Sequence, residues 1–164
     1  MRIRLFTLSL LLSLSMATSA WARLGETMDQ CVARWGQPVP SADFPPPGYE
    51  GDGFANFATF QKGDYHIIVG FLNGVVAVEI ITKQESSDLS DNEKAAILEA
   101  DSAGLAWIKS TTPGANEIWT RNDGAIASYD TFNHGMTIKS KEYRAAEEAK
   151  AAADEKAKLK IKDF

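Results

Sequence analysis

Apolar and polar positions change period along the chain, and the changes mark its elements. Met28, Cys31, Val32 and Trp35 fall at i, i+3, i+4 and i+7, which is one face of a helix. Thr27 before them and Gln30 within them form a capping box, and Gly36 and Pro38 end the run. The period then shortens to two. Phe57–Gln61, Tyr65–Leu72 and Val75–Thr82 read as three strands, separated by Lys62-Gly63-Asp64 and Asn73-Gly74. Asn-Gly between apolar runs predicts a type I′ hairpin, because both turn positions need positive φ. Along Tyr65–Leu72, Tyr65, Ile67, Val69 and Phe71 share one face. After a polar break at Ser86–Leu89, Ser90 and Glu93 form a second capping box ahead of Ala95–Leu98, and Gly104 closes that helix. Leu105–Lys109 and a Pro113-Gly114 loop follow. Ile118–Arg121, Ala125–Phe132 and Met136–Ser140 then read as strands, with turns at Asn122-Asp123-Gly124 and Asn133-His134-Gly135.

The order helix, meander, helix, meander predicts an α+β fold with a helix layer on an antiparallel sheet. The body is expected over residues 23–140. Gly63 and Gly74 are eleven apart, and so are Gly124 and Gly135. That offset suggests tandem units over residues 25–83 and 90–140, although hairpin turns recur at such spacings in any β-rich chain. Residues 141–164 differ in character. Seven alanines alternate with charges, as in Glu147 with Lys150 and Asp154 with Lys158, which supports a solvated helix. Its apolar stripe is thin, chiefly Tyr143 and alanines, so it is expected to project or fray.

Composition adds a compartment. Arg2 and Arg4 precede an apolar run from Leu5 to Met16, and Ala20-Trp21-Ala22 supplies a cleavage site. Residues 1–22 therefore read as a secretory signal, too short for a membrane span. Export to the periplasm or beyond the cell follows. Cys31 is the only cysteine and lacks the context of a lipid-anchor site. Neither a lipid anchor nor a membrane span is expected. The body carries 8 basic and 16 acidic residues, a net charge of −8, which would repel nucleic acid. Pro45-Pro46-Pro47 sits in a loop that is either a stiff surface segment or a ligand for a partner. The basic end of the tail, Lys156 to Lys162, is either solubilising or a docking element.

Candidate chemistry is sparse. His66 and His134 are the only histidines, and no zinc-site spacing connects them. No nucleophile elbow and no phosphate loop is present. No catalytic residue, metal or cofactor is assigned. Cys31 in the apolar helix stripe reads as a small buried hydrophobe, with a reactive or dimer-forming thiol as the alternative. Aromatic residues in the strands are the binding candidates: Phe57, Phe60, Tyr65, Phe71, Trp107, Trp119 and Tyr129, several of which must be core. Val75–Ile81 is apolar on both faces, with Val76, Val78 and Ile80 on one and Val75, Ala77 and Ile81 on the other. An antiparallel strand of that kind needs a cover on its second face: the other half, the long loop or a partner chain.

Gly25-Glu26-Thr27 and Gly36-Gln37-Pro38 bracket the first helix. This pattern resembles the G-x-T … G-x-P signature of the BamE (SmpA/OmlA) family of the outer-membrane barrel assembly machinery, with Cys31 at that family's apolar position. The resemblance covers about 60 residues and extends to the second half by analogy with the tandem units of the β-lactamase inhibitor protein. It implies a helix layer on an antiparallel sheet and a module that binds other proteins with its sheet face. It implies no catalytic residue. A non-enzymatic protein-binding or envelope-assembly module is thus the leading expectation. A small exported hydrolase with a carboxylate-based site, or a structural part of a surface assembly, are the alternatives. Oligomeric state is left open.

Overall fold

The computed structural model describes residues 23–40, 56–111 and 116–162. The signal segment, nearly all of the proline-rich loop and Pro113-Gly114 lie outside the described residues. Helix α1 spans Met28–Trp35, and its N-terminus carries both halves of the expected box. The Thr27 side chain accepts from the Gln30 amide, and the Gln30 side chain accepts from the Thr27 amide. Strands β1 (Asn56–Lys62), β2 (Tyr65–Leu72) and β3 (Val75–Lys83) form the first meander. Helix α2 (Asp91–Ala100) opens on the Ser90/Glu93 box. Strands β4 (Trp107–Lys109), β5 (Asn116–Arg121), β6 (Ile126–Asp130) and β7 (Gly135–Lys139) follow, and helix α3 (Lys141–Lys162) ends the described chain.

All seven strands form one antiparallel sheet in the order β1-β2-β3-β7-β6-β5-β4. The two meanders meet at their last strands, β3 and β7, where Val78 pairs with Lys139 and Thr82 with Gly135. The fold class is α+β, as the pattern predicts. Asn73 and Gly74 have φ of 55° and 83°, the pair of positive values a type I′ turn requires. Gly63 and Gly124 also take positive φ. At the last hairpin, however, His134 (φ 52°) takes the left-handed position, and Gly135 already belongs to β7.

Helices α1 and α2 pack on the same face of the sheet. Cys31 and Trp35 from α1 and Ile97 and Leu98 from α2 close over Phe60, Ile67, Val69, Trp119, Tyr129, Met136 and Ile138. The N-terminal residues Arg23–Thr27 run beside the start of β3. Gly25 N donates to Val76 O, Val76 N to Glu26 O, and Thr27 bridges Val75.

Strand β3 departs from simple alternation. Gly70 pairs with Val78 but Phe71 pairs with Val76, so Ala77 is an extra residue and the strand bulges there. Val76 therefore joins Ile81 in the helix-side core, while Ala77 and Val78 turn to the opposite face. The cover on that second face is α3. Tyr143 is fully buried against Ala77 and Val78, with Phe57 and Leu72 alongside. The tail therefore docks by its first turns rather than projecting throughout. Glu147 pairs with Lys139 of β7 at 2.7 Å, and Arg144 donates to Gly124 O at 3.2 Å. From Ala151 to Lys158 every residue is exposed.

Candidate interaction face and buried acid cluster

Among the described residues, α3 covers only part of the sheet face opposite α1 and α2. Strand register lays cross-strand rows on it. One row runs Ile68, Ile80, Thr137, Ser128, Ile118 across five strands, in direct partnership at each step. Ile68, Ile80, Thr137 and Ser128 are half-buried, and Ile118 is 40% exposed. The row contains no charge. The next runs Val78, Lys139, Ile126, Thr120, Ile108, and Ile108 is 57% exposed on the short edge strand β4. The other adjacent row is polar: Gln61, His66, Thr82, Gly135, Asp130, Asn116. An uncharged strip of isoleucine and hydroxyl side chains with a polar row along one side has the make-up of an interface core and rim.

The aromatic residues singled out in the sequence divide differently. Phe60, Phe71, Trp119 and Tyr129 are buried in the core beneath the helices. Trp107 and Tyr65 pack half-buried against that core. The Trp107 indole N–H donates to Leu98 O at 2.9 Å, and the Tyr65 hydroxyl donates to Glu93. Phe57 alone lies half-buried on the far face, beside Tyr143. The seven do not converge on one surface. Among the exposed large apolar residues is Phe132, 87% exposed at the β6–β7 turn.

Beneath α1 and the end of α2 the sheet holds charge. Glu79 is fully buried on the helix side of β3, and neither carboxylate oxygen has a hydrogen-bond partner among the described residues. Burial first, then the nearby Asp101 and Glu26 carboxyls, push its pKa well above the ordinary glutamate value. Asp101, at the C-cap of α2, is 2% exposed. Its Oδ1 accepts the Leu24 amide at 2.8 Å, while Oδ2 has no partner. Burial raises it to about 7. The guanidinium groups nearby are committed. Arg34 forks onto Glu26, and Arg121 grips Asp123 through Nε and Nη2 at 2.9 and 2.8 Å. Cys31 is buried, and its thiol is pushed up to about 12 by burial and by the Glu26 and Glu79 charges. Two buried carboxyls without counter-ions can hold and release protons. Among the described residues no set of three His, Cys, Asp or Glu side chains could hold a metal ion.

A second network lies at the surface. Asp88 Oδ1 accepts the Tyr129 hydroxyl at 2.7 Å and stands 2.7 Å from His134 Nδ1. These bonds hold the Asp88 carboxyl below the usual range. The network ties the turn before α2 to the β6–β7 turn, and His134 is thereby occupied in holding two loops together.

Periodicity misses the uncharged row, because its members are half-buried Ile, Thr and Ser with no distinctive spacing. Glu79 is visible in the sequence as the one acid within Val75–Ile81. Among the described residues no helix is long and apolar enough to cross a membrane. No family model matches the chain, and no curated protein or solved structure matches it.

Proposed function

We propose that the chain is an exported, non-enzymatic binding module of the BamE/β-lactamase-inhibitor type that engages a protein partner with its open sheet face. The observation that carries this reading is the uncharged row Ile68–Ile80–Thr137–Ser128–Ile118, laid across five strands on the face that α1 and α2 leave open. A helix layer on an antiparallel sheet, with a sheet face that binds other proteins, is the arrangement the resemblance implies. The acidic body, net −8, favours a partner surface that is flat and apolar at its centre and basic at its rim. Signal cleavage after Ala22 and action in the envelope belong to the same proposal.

The test is site-specific photocrosslinking in the envelope. A photoreactive residue at Ser128 or Thr137 is expected to yield a discrete adduct that Ile118→Lys abolishes. The same residue at Lys62, on the edge strand, is expected to yield none. Equal adducts from Lys62 and Ser128, or none from the face, would refute the proposal.

A further inference from the structure

Among the described residues Glu79 is the least accounted-for group. It is an acid with no exposed surface and no hydrogen-bond partner among them, and native proteins seldom keep such a group without a use for it. The charged and titratable groups whose fields reach it come from several separate elements. Asp101 comes from the end of α2, Cys31 and Arg34 from α1, Glu26 from the N-terminal segment and Arg121 from β5. Arg34 and Arg121 are the cations, and each is held by another carboxylate, Glu26 and Asp123. Glu26 belongs to the segment Arg23–Thr27 that lies along β3. Three bonds clasp that segment: Gly25 to Val76, Val76 to Glu26, and Leu24 to Asp101, each 2.8 Å.

We propose that Glu79 is a proton-operated latch for this N-terminal segment: while it keeps its proton the segment stays clasped, and when the proton leaves, Arg34 turns from Glu26 to Glu79 and the clasp opens. A bare carboxylate at this depth must acquire a counter-charge. Arg34 is the cation on the neighbouring helix. Taking it leaves Glu26 as an uncompensated charge beside Glu79 and Asp101, and three like charges cannot stay packed there. The segment that carries Glu26 is the part able to move, because backbone bonds to Val76 and Asp101 hold it and no strand of its own does. Asp101 lines a cleft of about 610 Å³ with Arg23, Glu99 and Ser102, so water reaches the clasp from that side. The device answers to rising pH and leaves the rest of the sheet in place.

The test is amide hydrogen exchange followed by NMR on the isolated protein from pH 7 to 9.5. Base catalysis alone accelerates every amide equally, so the excess over that trend is the readout. The Gly25 and Val76 amides are expected to gain up to about tenfold excess per pH unit, one proton being released on opening, while Ile67 and Val69 gain none. Glu79→Gln is expected to abolish the excess. The carboxyl carbon-13 resonance of Glu79 in the unmutated protein gives a reading that needs no variant, and it is expected to titrate well above the ordinary glutamate range. In Glu26→Gln the same resonance is expected to titrate at least one pH unit lower, since Arg34 is then available. An equal excess in Glu79→Gln, an ordinary glutamate titration, or an unmoved titration in Glu26→Gln would each overturn the latch.

Discussion

Tyr143→Ala separates docking of the C-terminal helix from stability of the body. Tyr143 is the only fully buried side chain of α3 described, and it seats the helix on Ala77 and Val78. Truncating a buried aromatic residue to alanine costs roughly 3–5 kcal/mol where the structure cannot collapse around the gap. Other tethers of the helix include the partly exposed Lys139–Glu147 pair and a hydrogen bond from Arg144 to Gly124 O. A partly exposed pair is worth at most about 1 kcal/mol, and a hydrogen bond about the same. The loss exceeds either of these contacts, so the helix is expected to detach before the body unfolds. Limited proteolysis reads this directly. Trypsin cleavage after Arg144 and Lys150 is expected to accelerate by more than tenfold in Tyr143→Ala. Thermal unfolding of the truncated body should stay cooperative, and dye binding to the uncovered Ala77–Val78 surface should rise. Tyr143→Phe keeps the ring and should behave nearly as the parent. Unchanged cleavage in Tyr143→Ala would refute the reasoning, because it would place the docking energy elsewhere along α3.

Three further outcomes follow from the packing and the buried charge. A Cβ at Gly70 would lie 2.6 Å from both Phe57 and Val78, so Gly70→Ala is expected to destabilise by about 1–3 kcal/mol in urea titration, and a neutral result would contradict the close approach of β1 and β3 side chains over it. The Cys31 thiol is buried and raised to about 12, so a thiol reagent at pH 8 should label the protein only as fast as it unfolds; rapid labelling of the native state would show Cys31 to be accessible. Asp101 is raised from 3.8 to about 7, so the folded state keeps a proton that the unfolded chain gives up. Its contribution is complete below pH 3.8 and is lost as the pH rises through about 7, at up to ~1.4 kcal/mol per pH unit. Asp101→Asn should flatten that slope in denaturant titrations between pH 5 and 7, and an unchanged slope would assign it to another group.

What was legible in the sequence is what local chemistry decides. Both capping boxes are readable because Thr27 with Gln30 and Ser90 with Glu93 satisfy orphan amides within one turn. The Asn73-Gly74 hairpin is readable because few residue pairs tolerate two positive φ values. The bulge at Ala77 is not readable. It depends on how β3 meets β2 and α3, and it changes which valines share a face. The merging of two meanders into one sheet is likewise a pairing of distant strands, invisible to any local window. The aromatic residues misled for a related reason. Size marks Phe60, Trp119 and Tyr129 as candidates for contact, but large apolar side chains are also what a core needs most. The residues that make the open face are small and β-branched, and only register assembles them into a row.

The seam between β3 and β7 has a kinetic consequence. Each meander zips up through neighbouring turns, but joining Thr82 to Gly135 closes a loop of more than fifty residues. Ordering such a loop costs on the order of 3–4 kcal/mol of chain entropy before its contacts return anything. The chain also leaves the ribosome N-terminus first, so β3 must wait with its β7-facing edge unpaired until β7 has been made. An apolar strand edge left open invites pairing with another copy. In that waiting state Glu79 is not yet enclosed, and an ionised carboxylate in the middle of an apolar strand opposes such pairing. The residue that burdens the finished core thus protects the unfinished one.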